Sequence, residues 1–149
     1  MKSLLSEGAY KEIKSRISNL NEQSHATWGT MNVAQMCKHC QFALEVPLEK
    51  KVMPTPNPLM KLVFKSFKSS MYNDKPWKKG LPTPKTFMVK ETPDFEEERS
   101  KLNILVDEFY AKNDQENWIK HPAFGNFTPD QWGKLQYKHL DHHLRQFNV

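Results

Sequence analysis

Three histidines within five consecutive positions, His139, His142 and His143, fall in the stretch PDQWGKLQYKHLDHHLRQF that runs from Pro129 to Phe147. The stretch reads as one amphipathic helix. Thr128 is placed to cap its start, Pro129 suits the first helical position, and Asp130 puts an acid at the positive end of the dipole. At about 100° per residue, Trp132, Leu135, His139, His143, Gln146 and Phe147 share a wedge of roughly 120°, with Lys134, Lys138, Asp141 and Arg145 opposite. His139 and His143 therefore point inward, and His142 sits at the margin. One inward histidine is ordinarily a core residue with a satisfied N–H. Two of them one turn apart compete for few partners and repel when protonated, and residues four apart can turn both rings onto one ion. A third ligand must then come from elsewhere.

The rest of the chain reads as helices joined by proline-rich connections. Tyr10, Ile13, Ile17 and Leu20 space a first amphipathic helix from about Ser6 to Leu20. A loop from Gln23 to Thr30 carries Trp28, expected to be a structural tryptophan, with packing beneath the site as the alternative. Asn32 can cap a second helix that Pro47 stops near Val46. Only Lys38, Gln41 and Glu45 form a polar arc on it, so His39 is expected to be buried and becomes the natural third ligand. Cys37 and Cys40 permit a zinc or redox reading. A zinc knuckle wants a second pair, and a thioredoxin-like pair sits at a helix start, so buried inert thiols are the expectation. A third helix from about Asn57 to Tyr72 is expected to bury Met60, Val63, Phe64, Phe67 and Met71. The proline-rich run from Asn73 to Pro93 is expected to loop over the site opening. Asp94 begins a further helix with Glu96, Glu97 and Glu98 in its first turn and Leu102, Leu105, Val106 and Phe109 inside. His121 to Phe127 is too short for a strand pair. No internal repeat, Gly-rich phosphate loop, nucleophile elbow or carboxylate pair is present.

The chain's 149 residues suffice for one domain with a single core, and 38% hydrophobic content with 11% aromatics supports a packed globule. No run approaches the ~20 apolar residues of a membrane span, and no signal-peptide core follows Met1. A soluble, cytoplasmic protein with no membrane partner is expected. The net charge of +5 arises from 22 basic against 17 acidic residues. Only Arg16, Arg99 and Arg145 are arginines, and they are scattered, which argues against a nucleic-acid partner.

Trp28-Gly29, Asn32 to Met36 leading to His39, His121-Pro122 with Phe124-Gly125, Thr128, Trp132-Gly133, and His139 followed by Asp141-His142-His143 and Gln146 together resemble the DinB/YfiT-like metalloprotein superfamily. Within it they resemble a branch catalogued as a domain of unknown function. The resemblance covers nearly the whole chain. It implies one all-α domain over residues 1–149, a four-helix bundle with a long crossover, in many relatives a homodimer. It also implies a divalent metal held by one histidine of the second helix and two of the last, positions that match His39, His139 and His143. Relatives transfer low-molecular-weight thiols such as bacillithiol, mycothiol or glutathione, hydrolyse amides, or isomerise small-molecule substrates; a non-catalytic metal-binding scaffold is the competing class. A histidine-only site takes Zn or Ni first, with Mn, Co or Fe as alternatives. His121 and His142 are the candidates to support the ligands or shuttle a proton. Asp141 points away on the wheel, so no carboxylate base is evident, which favours a thiol cosubstrate over water attack.

Overall fold

Four of the five α-helices start at a side-chain cap. Asn32, Asn57, Asp94 and Thr128 each accept a hydrogen bond from the backbone N–H three residues on, satisfying a donor that a helix start leaves free. At Asn32 and Thr128 the cap is reciprocal, because Gln35 and Gln131 reach back to the cap residue's own N–H. The computed structural model describes residues 1–149 and is all-helical: α1 Glu7–Ser18, α2 Val33–Glu45, α3 Pro58–Phe67, α4 Phe95–Tyr110 and α5 Pro129–Gln146, with 3₁₀ turns at Lys68–Met71 and Lys85–Phe87. No strand forms; His121 and Gly125 exchange two backbone hydrogen bonds across a tight loop.

Helix α2 packs on α4 and α5, and α1 packs on the same two helices. Ile13, Met36, Leu44, Phe109, Trp132 and Leu140 lie in their common core, each no more than 1% exposed. Truncating such a side chain typically costs about 2–5 kcal/mol. The N-terminal segment crosses α5 at Gly133, where Leu4 N–H donates to the Gly133 carbonyl at 2.9 Å. A Cβ at Gly133 would stand 2.0 Å from Ser3 Oγ, so the crossing requires the glycine despite its helix-propensity cost of about 1 kcal/mol.

Three expectations are corrected. The Met and Phe stripe of α3 is not core: the helix ends at Phe67, buries no residue, and leaves Leu59 71%, Leu62 67% and Phe67 56% exposed. An amphipathic period shows that a helix is two-sided, not that a core lies under its apolar side. Gln41 leaves the polar arc of α2 and is buried with Glu98, its Nε2 donating to the Glu98 carbonyl and carboxylate at 2.9 and 2.7 Å. Lys138 is 2% exposed, its Nζ donating to the carbonyls of Ser70 and Asn73 and to Asn73 Oδ1. In both cases another segment, α4 or the chain after α3, covers a side that the wheel of one helix leaves open.

Candidate metal centre

Helix α5 presents His139 and His143 one turn apart, and α2 presents His39 opposite them. The three ring centroids form a triangle with sides of 5.1 Å (His39–His139), 4.7 Å (His39–His143) and 4.8 Å (His139–His143). One donor nitrogen from each lies within 4.8 Å of the others, and the Nε2 atoms of His39 and His139 stand 3.1 Å apart. With bonds of about 2.1 Å, neighbouring ligand atoms sit about 3.0 Å apart around an octahedral ion and about 3.4 Å apart around a tetrahedral one. That pair already has ligand spacing.

The hydrogen bonds behind the rings fix which nitrogens are free. His39 Nδ1 lies 3.0 Å from the Phe87 carbonyl, which only accepts, so Nδ1 carries the hydrogen and Nε2 is bare. Gln146 Nε2 donates to the Trp28 carbonyl at 2.6 Å, which orients the amide so that its Oε1 accepts from His143 Nδ1 at 2.9 Å. His143 Nε2 is therefore bare as well. Gly29 makes the close approach possible: its φ is +80°, and a Cβ there would stand 2.7 Å from Gln146 Nε2. Thr27 N–H and Oγ1 also donate to the Gln146 carbonyl, at 2.7 and 3.1 Å. His139 Nδ1 is buried without a partner. One proton on His139 cannot bridge both bare nitrogens, whereas a single cation meets all three rings, and the outward N–H bonds of His39 and His143 are the usual support of metal-ligating imidazoles. The donor set fits a metal ion.

Burial is the main cause holding the rings neutral. It lowers His39, and it lowers His139 well below the ordinary histidine value, with His143 and His39 adding repulsion. Burial and then His39 bring His143 down to about 3. Neutral imidazole is the form that binds metals.

The family described as "Protein of unknown function (DUF1569)" matches residues 3–149. The chain belongs to the DUF1569 family. Comparison with curated proteins and with solved structures finds no match, so the chemistry of this DUF1569 chain is read from its site.

His142 and His121 lie outside the three-histidine group. His142 is half-buried between Trp28 and Trp77, with centroid distances of 5.8 Å to each, and Trp77 also meets His139 at 5.9 Å. His142, Trp28 and Trp77 wall a cavity of about 540 Å³ that Lys79, Lys138, Asp141 and Arg145 also line. Burial lowers the His142 pKa, opposed by the Asp141 charge. His121 stacks on Trp132 at 5.3 Å beside Phe124 and Phe127. Its Nδ1 accepts from the N–H groups of Ala123 and Phe124, and burial, then Lys68, lowers it to about 4.

Cys37 and Cys40 are free and buried. Burial pushes the Cys37 thiol up to about 12 and Cys40 well above the ordinary value, so both stay protonated and neither belongs to the histidine group. The loop from Asn73 to Pro93 does reach the site, through Trp77 and the Phe87 carbonyl. The Phe87 contact was not readable in advance, since a backbone carbonyl leaves no mark on residue type.

Proposed function

We propose that the chain is a divalent-metal-dependent enzyme acting on small molecules, specifically a low-molecular-weight thiol S-transferase. Its fold is read as a DinB/YfiT-like four-helix bundle of α1, α2, α4 and α5, with α3 in the long crossover between α2 and α4. The observation that carries the reading is the convergence of three neutral imidazoles, two of which have their outward nitrogens already committed to Phe87 and Gln146. Zinc or nickel suits an all-imidazole donor set, with manganese, cobalt or iron next. When bound, such an ion supplies Lewis acidity that lowers the pKa of a thiol or a water.

The chain's own residues divide the remaining tasks. His142, half-buried at the cavity wall and uncharged at neutral pH, accepts the thiol proton at a ring nitrogen. Trp28 and Trp77 exclude water and orient the apolar part of the substrate. Thiol transfer is preferred to hydrolysis because each carboxylate on the cavity wall is engaged: Asp141 by Arg16 and Arg145, Glu12 by Lys2 and Arg16, Asp74 by the N-terminal ammonium. None is free to act as base toward a water. The deciding experiment measures metal content of untagged protein and then consumption of a chloro-nitroarene with a panel of thiols by wild type, chelated protein and His39→Ala. Turnover should require both metal and thiol. Turnover that survives chelation sinks the reading, and metal-dependent amide or ester cleavage without thiol replaces it with a hydrolase.

A further inference from the structure

The chain's charge is divided unevenly. Residues 50–90 hold ten lysines, no arginine and one acid, Asp74, a formal +9, while the remainder holds twelve cations against sixteen acids, a formal −4. The ion pairs follow the same division. Nine of the twelve cations outside the segment touch a carboxylate, whereas Lys50 alone does so among the ten within it. Lys61, Lys65, Lys75, Lys78, Lys85 and Lys90 are exposed. The same segment carries α3, whose Leu59, Met60, Leu62, Val63 and Phe67 are 71%, 40%, 67%, 41% and 56% exposed. These five occupy an arc of roughly 160° on the helix, with Lys61 and Lys65 beyond its edge. Phe64, on the other side, turns back to Phe124 at 5.7 Å, so the body holds the helix with its apolar face outward.

We infer that this segment is a peripheral docking surface for an anionic lipid bilayer, with α3 lying in the interface and the lysines of residues 50–90 meeting lipid phosphates and carboxylates. The expectation of no membrane partner rested on the lack of a spanning segment; no helix is long and apolar enough to cross a membrane, but an interfacial helix needs no crossing: it combines a one-sided apolar face with cations that an anionic surface attracts. Charge decides against other occupants. A second copy docked symmetrically on this face would set one +9 segment against another. A nucleic acid would meet large apolar side chains and no arginine at the centre of its contact.

The test is co-sedimentation of the full chain with vesicles of phosphatidylcholine and phosphatidylserine in equal parts, and with phosphatidylcholine alone, beside sedimentation velocity of the protein without lipid. Binding should favour the anionic vesicles and weaken with salt. Leu62→Glu with Phe67→Glu, and separately Lys61→Glu with Lys65→Glu, should each weaken it roughly tenfold or more. Their helical circular dichroism should match wild type, because α3 buries nothing. Absence of vesicle binding, equal binding to both vesicle types, or binding unchanged in both double variants overturns the inference. A dimer that Leu62→Glu with Phe67→Glu dissolves, with no vesicle binding, assigns the face to a second copy instead.

Discussion

His143 and His142 are neighbours in sequence with different neighbours in space. His143 donates to Gln146 and faces His39, whereas His142 lies between two tryptophans at the cavity wall. Isothermal titration should therefore find high-affinity divalent binding lost in His143→Ala and largely kept in His142→Ala; equal loss would mean that His142 is a ligand. Gln146→Leu removes the support behind His143 together with the Nε2 bond to the Trp28 carbonyl, and should weaken metal affinity about 10–100-fold without abolishing it. His121 gives a pH prediction. Its folded pKa of about 4 lies below the unfolded histidine value of about 6.5. Between these values the unfolded chain binds the extra proton, so stability is full above about pH 6.5 and falls as pH drops toward 4, by about 3 kcal/mol in all. His121→Asn keeps an acceptor for the Ala123 and Phe124 N–H groups and removes the titration. Urea unfolding should show a lower stability at pH 7, from lost stacking on Trp132, and a flatter acid limb than wild type. The three converging histidines were legible because the helical period of α5 and the narrow polar arc of α2 each turn their histidines inward. Gln146 was legible only as a member of the inward wedge; its role needs the Trp28 carbonyl, which no side-chain pattern records.

At the scale of elements, α5 is held in place by close backbone approaches at two glycines. Gly29→Ala would drive a methyl into Gln146 Nε2 and force a non-glycine residue to φ +80°. It should displace the Gln146 side chain, loosen His143, and reduce metal affinity as Gln146→Leu does, while leaving the helix content intact by circular dichroism. Gly133→Ala, where the methyl meets Ser3 and Leu5, should instead lower global stability by about 1–3 kcal/mol with little effect on metal affinity measured at a temperature where the protein is folded. Helix starts were largely legible, since Asn32, Asp94 and Thr128 announce themselves by residue type and Pro47 marks the end of α2. The inner side of α3 was not, because periodicity is a property of one helix and burial depends on what the other helices leave free. Buried Lys138 has the same origin: its three acceptors come from Ser70 and Asn73, 65 to 68 residues away.

For the whole molecule, the site joins two helices that are a hundred residues apart in sequence, α2 through His39 and α5 through His139. An ion bound there cross-links the packed core and is absent from the unfolded chain, so it stabilises by RT ln(1 + [L]/Kd), about 2.7 kcal/mol at a hundred times Kd. For a domain of this size that is a rise in Tm of about 5–10 °C. Scanning calorimetry should show this shift on adding zinc or nickel to chelated protein and its disappearance in His39→Ala, which cuts the link from α2. Leu62→Glu on α3 should leave the shift unchanged, because α3 packs on neither α2 nor α5, the helices that carry the three histidines. A shift that persists in His39→Ala would place the bound ion elsewhere on the surface. A shift lost in both variants would mean that α3 supports the packed helical core. Only the pattern of loss in His39→Ala and retention in Leu62→Glu fits an ion clamped between α2 and α5, with α3 free for a separate task.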